Sequence, residues 1–172
     1  MSTTPLQDTP PFAGYDDDEH HPLGGYGALM AVWGAAMARF LAWKGDELPD
    51  QGLGARDLIL TTVAGHKLSR LIGSDRVTST IRAPFTEYQE RAGHGEVEEK
   101  ARGRGLRKAV GDLIICAYCL GLWSTGAIGA GMVAAPRTTR FLAGVLAAHA
   151  GADALQVGYS AAEKASGSLR PG

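Results

Sequence analysis

The sequence predicts an all-α protein: a small helical membrane bundle of three or four spans with a polar cytoplasmic loop. Three observations carry that reading. Apolar residues gather in long runs on either side of a charged centre, the run from Gly111 to Ala135 holds one carboxylate, Asp112, and the basic residues are shared unequally among the connections. At 1.5 Å per residue, the roughly 23 residues from Leu113 to Ala135 match the ~30 Å hydrocarbon core of a bilayer. Bulk composition is less decisive, since 45% hydrophobic and 20% charged residues in a chain of 172 also suit a soluble domain. A formal charge of -1 gives no basis for expecting nucleic acid as a partner.

Residues 1–22 carry Pro5, Pro10, Pro11 and Pro22 and the acidic run Asp16 to Glu19, and read as a disordered acidic tail. They hold no Lys or Arg to form the charged start of a cleavable signal peptide. A helical membrane domain follows over residues 23–160. Its first span is predicted at 23–43, with Arg39 close enough to the end to snorkel and with Tyr26 and Trp43 as interfacial anchors. Residues 55–72 predict a helix that is either a short span or an amphipathic helix at the interface, because His66, Lys67 and Arg70 crowd its end. Residues 73–110 are polar and glycine-rich, and read as a loop with room for one short helix at Thr86 to Arg91. A span at 111–135 and an antiparallel one at 141–159 complete the bundle, joined by the link Pro136 to Arg140. On the last span Gly144, Ala148 and Ala152 form a small-residue row suited to close packing. Residues 161–172 read as a second disordered tail.

Charge orients these spans. Twelve basic residues lie from Lys44 to Lys108, against only Arg137 and Arg140 in the last link. The positive-inside rule therefore puts the central region in the cytoplasm and the last link outside. The N-terminus is inside if 55–72 crosses the membrane and outside if it does not.

Cys116 and Cys119, the two cysteines of the chain, form a CxxC. Asp112, Cys116, Cys119 and Trp123 fall at i, i+4, i+7 and i+11, so an uninterrupted helix lines them along one face. Such a pair can pack, ligate zinc, or act as a redox or acylated thiol pair. Zinc needs four ligands, so His66, His94 or a second copy of the motif would have to complete the set. Inside a continuous helix Cys116 lies about a turn from the start and Asp112 disfavours a thiolate, which favours packing. Helical geometry also suits free thiols or metal ligation better than a disulfide, and two cysteines make no disulfide framework.

In Arg82-Ala83-Pro84-Phe85-Thr86, Pro84 biases Ala83 to an extended conformation, Phe85 can dip into the interface, and Arg82 is available to a carboxylate or lipid phosphate. The segment from Gly95 to Glu99 supplies Glu96, Glu98 and Glu99. The plain reading is a solvated acidic turn paired with neighbouring arginines. The sharper one brings Arg82, His94, Glu96 and Asp112 together with the thiols into one polar site at the cytoplasmic mouth of the bundle. A second candidate cluster is an intramembrane network of Arg39, His149 and Asp153, since charges in hydrocarbon need partners. The common enzyme signatures GxSxG, P-loop and HExxH are absent.

Three blocks stand in order: RAPFT at Arg82 to Thr86, GEVEE at Gly95 to Glu99, and a glycine-acid pair followed by CxxC-x-G-x-W at Gly111 to Trp123. Over roughly residues 55–155 this succession resembles the bacterial family known as domain of unknown function 1360, small membrane-associated proteins of which some are labelled sporulation proteins. Ala117 stands where that family commonly has proline, which predicts a helix running through the motif without a kink. The resemblance implies a multi-pass protein of the bacterial inner membrane and no particular activity. On this reading the chain is a structural or interaction protein of the cell envelope. Its partners are membrane lipids and either further copies of itself or other membrane proteins. The alternative is a membrane metal- or thiol-dependent enzyme or sensor using Cys116 and Cys119, with zinc as the candidate metal.

Overall fold

The computed structural model describes residues 21–168, so the tail expected over 1–22 lies almost wholly outside the described residues. The element order is α1 (Leu23–Lys44), α2 (Ala55–Gly73), α3 (Ser79–Arg82), β1 (Thr86–Arg91), β2 (Val97–Ala101), α4 (Gly105–Ile115), α5 (Ala117–Ala134) and α6 (Pro136–Ser168). The chain is mostly helical, with a two-stranded antiparallel sheet. It divides into two compact units. One comprises the described residues up to Asp46 with Ser69–Trp123, the other Glu47–Leu68 with Ser124 onward.

In the first unit, close backbone approach replaces a large apolar core. A Cβ at Gly25 would lie 2.6 Å from Ala109 Cβ, so α1 rests directly on α4. A Cβ at Gly111 would meet the Phe85 carbonyl at 2.6 Å and Ala101 Cβ at 2.8 Å, so α4 presses onto the base of the hairpin. The sheet pairs Thr86 with Ala101, Glu87 with Lys100 and Tyr88 with Glu99, then slips by a bulge before Glu90. Glu87 opposite Lys100 is a favourable cross-strand charge pair. Gly95, at φ 82°, turns the chain between the strands, where a side chain would be strained. The hairpin tip is then tied to the chain beyond α2, as Val97 N–H donates to the Ser74 carbonyl (3.0 Å) and Arg76 N–H to the Gly95 carbonyl (2.9 Å).

The second unit is a helical one. Ala64, Ile128, Met132 and Ala143 form its core, with Leu53, Leu60, Leu68 and Leu146 packed against them. A Cβ at Gly131 would meet Thr139 Oγ1 at 2.7 Å, which requires α6 to double back on α5 across Ala135. Pro136 opens α6 at the first helical position, where its missing N–H costs nothing. Asp57 and Arg140, near the starts of α2 and α6, are paired at 2.6 Å, and Lys67 and Asp153, farther along both, are also paired at 2.6 Å. The two helices therefore run parallel.

Several expectations need correcting. Thr86 to Arg91 is a strand, not a short helix, because its partner strand and α4 supply the contacts that local sequence does not. Ala83 is helical (φ -47°, ψ -33°) rather than extended, its N–H donating to the Ser79 carbonyl at 2.7 Å. The helix does not run through the CxxC, for Cys116 is extended (φ -91°, ψ 96°) and separates α4 from α5. Gly144 has no atom within 4 Å of a Cβ, and Ala148 and Ala152 are exposed, so the inward small residue is Ala143. The last helix continues to Ser168, past the boundary expected at residue 160. Among the described residues, two helices are long and apolar enough to cross a membrane, Ala117–Ala134 and Pro136–Ser166.

The packing of α4 on the hairpin is directly testable. Gly111→Ala should destabilise the protein by about 1–3 kcal/mol through overpacking. Gly34→Ala on α1, where no atom lies within 4 Å of the added Cβ, should stabilise it by about 0.5–1 kcal/mol. Thermal unfolding in detergent, followed by far-ultraviolet circular dichroism, separates the two outcomes.

Candidate functional site

Alternation along β2 sends Val97, Glu99 and Ala101 to the same face, and the two apolar members are buried there. Glu99 must follow them inward, and its side chain is only 5% exposed. It meets Arg82, on the single turn of α3, whose side chain is completely buried at 0% exposure. Nε and Nη2 of Arg82 donate to the two carboxylate oxygens of Glu99 at 3.0 and 2.9 Å, a bidentate fork. Nη1 donates to the Ile72 carbonyl at 2.6 Å and to Thr78 Oγ1 at 2.8 Å. Nη2 also reaches the Asp75 carbonyl and Ser79 Oγ, each at 3.1 Å. The Thr86 hydroxyl lies 2.6 Å from Glu99 Oε2 and donates to it. Burial pushes the Glu99 carboxyl upward, but the Arg82 fork, the Thr86 and Ser79 hydroxyls and the Arg82 charge outweigh that and hold it below its ordinary 4.5.

The turn after α3 is secured just as closely. The Ala83 carbonyl accepts Arg102 Nη2 at 2.8 Å, the Pro84 carbonyl accepts Arg107 Nη2 at 2.7 Å, and the Phe85 carbonyl accepts the Arg102 N–H at 2.9 Å. Beside this network an open hollow of about 670 Å³ is lined by polar side chains, among them Tyr26, Gln89, Glu98, Glu99, Lys100, Lys108 and Asp112. Asp112 accepts the Tyr26 hydroxyl at 2.8 Å and the Lys108 ammonium at 2.9 Å.

Arg82, His94, Glu96 and Asp112 thus have different partners, although Glu99, which Arg82 holds, and Asp112 line the same hollow. Arg82 holds Glu99, Glu96 pairs with Arg70, Asp112 takes Tyr26 and Lys108, and His94 is exposed in the turn between the strands. The sulfurs of Cys116 and Cys119 are at disulfide distance, with Cα atoms 5.2 Å apart, where the sequence favoured free thiols or metal ligands. The helix break explains the difference, because it frees the Cys116 side chain from helical geometry. No group of three or more His, Cys, Asp or Glu side chains suited to a metal exists among the described residues. Of the proposed intramembrane network, His149 and Asp153 are neighbours, Nδ1 to Oδ1 3.6 Å, and Lys67 donates to Asp153 at 2.6 Å. Arg39 is exposed on α1 in the first unit.

Glu99 and Lys67 were not singled out from sequence. For Glu99 a signal existed, since Val97 and Ala101 bracket it at a spacing of two. Lys67 stands three residues after Ala64 and so shares the buried side of α2, but nothing local names Asp153 as its partner.

Because Glu99 is held below its ordinary value, its paired form adds stability above the usual carboxylate range, and that stability is lost as pH falls through the lowered value. The wild-type protein should therefore lose stability as pH falls below about 5, whereas Glu99→Gln should be weaker at neutral pH and lose less over the same range. Arg82→Lys, which keeps the charge but not the fork, should lose about 3 kcal/mol. Denaturant titration in detergent at several pH values reads both effects.

A family model described as "Protein of unknown function (DUF1360)" matches residues 60–159. The sporulation protein YjcA of Bacillus subtilis (strain 168) is 28% identical over 93 residues, which are 52% of this chain and 79% of that protein. UPF0713 protein YngL of the same organism is 33% identical over 98 residues, 56% of this chain and 72% of that one. No solved structure matches. The stretch matched by the family model contains Arg82, Glu99, Gly111 and both cysteines, and it covers more than half of the sequence, so the chain belongs to the DUF1360 family.

Proposed function

We propose that this chain is a multi-pass protein of the bacterial cytoplasmic membrane with four spans, α1, α2, α5 and α6, and that it serves as a structural or interaction protein of the cell envelope. The observation that carries this reading is the exposure of its apolar helices. Only 6% of the apolar stretch of α6 and 22% of that of α5 are buried inside the protein. A soluble protein buries such helices in its core. Here Phe141, Leu155, Val157 and Tyr159 are each more than two-thirds exposed (71, 76, 69 and 68%). Acyl chains are the medium that such a surface fits.

The direction of α2 supports four spans over three. It runs parallel to α6, held at two levels by Asp57–Arg140 and Lys67–Asp153, so a bilayer that takes in α6 takes in α2 beside it. Ten residues of α2 separate the two pairs, about 15 Å of helix, which sets the pairs at two different depths, one toward each interface. The connection from Gly45 to Gly54 then lies outside, where its content of Asp46, Glu47 and Asp50 without Lys or Arg agrees with the positive-inside rule. One relative is named a sporulation protein, which suits an envelope setting.

Topology tests the reading. In a Cys116→Ala, Cys119→Ala background, Gly52→Cys and Thr138→Cys should react with an impermeant maleimide on whole cells, and Gly103→Cys only after permeabilisation. Equal labelling at Thr138 and Gly103 overturns the membrane reading, and protection at Gly52 reduces four spans to three. The ion pair inside the helical unit gives a second expectation. Lys67→Asp should cut accumulation in the membrane severely, as it sets two like charges against each other at a position buried on the Lys67 side, and adding Asp153→Lys should restore most of it. Quantitative immunoblotting of membrane fractions measures both.

A further inference from the structure

At Cys116 the chain leaves α4 in an extended conformation and re-enters helix at Ala117. The Cys116 carbonyl accepts the Leu120 N–H at 2.9 Å, and its Sγ accepts the Cys119 N–H at 3.1 Å. That is an N-cap arrangement in which sulfur occupies the place usually taken by a Ser or Asp oxygen. The helix so capped has 18 residues, and its N-terminal end carries partial positive charge. A thiolate formed on Cys116 would gain from both. Asp112, one turn earlier, would oppose it, but that carboxylate already holds the Lys108 ammonium and the Tyr26 hydroxyl. Cys119 is exposed, Tyr118 beside it is 97% exposed, and the two sulfurs lie at disulfide distance.

We propose that Cys116 and Cys119 are a working dithiol–disulfide pair that exchanges electrons with a dithiol partner, Cys119 being the sulfur open to attack and Cys116 the stabilised leaving thiolate. An incoming thiolate bonds to Cys119 Sγ as the bond between the two cysteines breaks, and Cys116 departs carrying the electron pair. The partner's second thiol gives its proton to solvent and attacks the mixed disulfide. Cys119 is released as a thiolate that takes up a proton. The chain's disulfide has then gained two electrons and the partner dithiol has become a disulfide; the same steps in reverse oxidise the chain. A low-affinity leaving thiol and an accessible attacked sulfur are what fast exchange requires. This chemistry goes beyond the membrane reading and does not depend on which side of a bilayer the motif faces.

The test uses the full chain in detergent, with dithiothreitol as reductant and glutathione disulfide as oxidant. Tagging of free thiols should show the wild-type pair reduced by the first and closed again within the chain by the second. Iodoacetamide rates then separate the cysteines: Cys116 in Cys119→Ser should react at pH 7 at least about tenfold faster than Cys119 in Cys116→Ser, although it is the less exposed. Between pH 7 and 9 the Cys119 rate should climb roughly 20-fold, as for an ordinary thiol, and the Cys116 rate by no more than about twofold. Alanine variants repeat the comparison without a new hydroxyl at the cap. Equal rates and equal pH profiles, or a pair that glutathione disulfide does not close, overturn the proposal.

Discussion

The buried pair between Arg82 and Glu99 is the constraint on which the first unit depends. A charge taken out of water is tolerated only with its partners in place, and Arg82, at 0% exposure, spends its donors on a carboxylate, two hydroxyls and two backbone carbonyls. Those acceptors come from the end of α2, the turn after it, α3 and β2. One guanidinium therefore fixes four segments that have few apolar side chains with which to fix themselves. The three sequence blocks meet around it. RAPFT contributes Arg82 and Thr86, GEVEE contributes Glu99, and the glycine that opens the third block lets α4 reach the Phe85 carbonyl beside them.

The second unit solves a different problem by related means. Its core is small, four buried residues with leucines around them, while long apolar faces of α5 and α6 point outward. Ion pairs near two levels of α2 and α6 supply the register that a thin core does not. If lipid surrounds these helices, apolar packing between them has little driving force, and pairs such as Lys67 with Asp153 become the specific element of the assembly.

The long helices were legible because an apolar run of helical length is read locally. The hairpin was not, because its inner face is made of Thr86, Val97, Glu99 and Ala101, two apolar residues and an ion-paired acid in place of the usual alternating stripe. Its outer face carries charges at nearly every position, so the segment reads as a solvated loop unless the inward spacing of Val97, Glu99 and Ala101 is noticed. Among candidate site residues, the sequence identified Arg82 and Asp112 as polar groups needing partners. It could not supply Tyr26, which lies 86 positions from Asp112 and reaches it only once α1 has packed on α4.

The break at Cys116 shows how a helix can be restarted without a proline. Ala117 is the first residue of α5, and the first helical position is where proline fits best, its missing N–H being unneeded and its φ already helical. A proline there would mark a helix start rather than a kink within a helix. In this chain the start persists with alanine, because two contacts outside that residue impose it. The Ile114 carbonyl lies against Gly73, 3.0 Å from where a Cβ would stand, which fixes the end of α4 against α2. On the other side, Cys116 caps the new helix through its own carbonyl and sulfur. A continuous helix would turn that sulfur away from the Cys119 N–H and leave the CxxC as two packing residues. The interruption is therefore what converts the spacing into a site, and it is a tertiary contact and a cap, not the local propensity of residue 117, that maintain it.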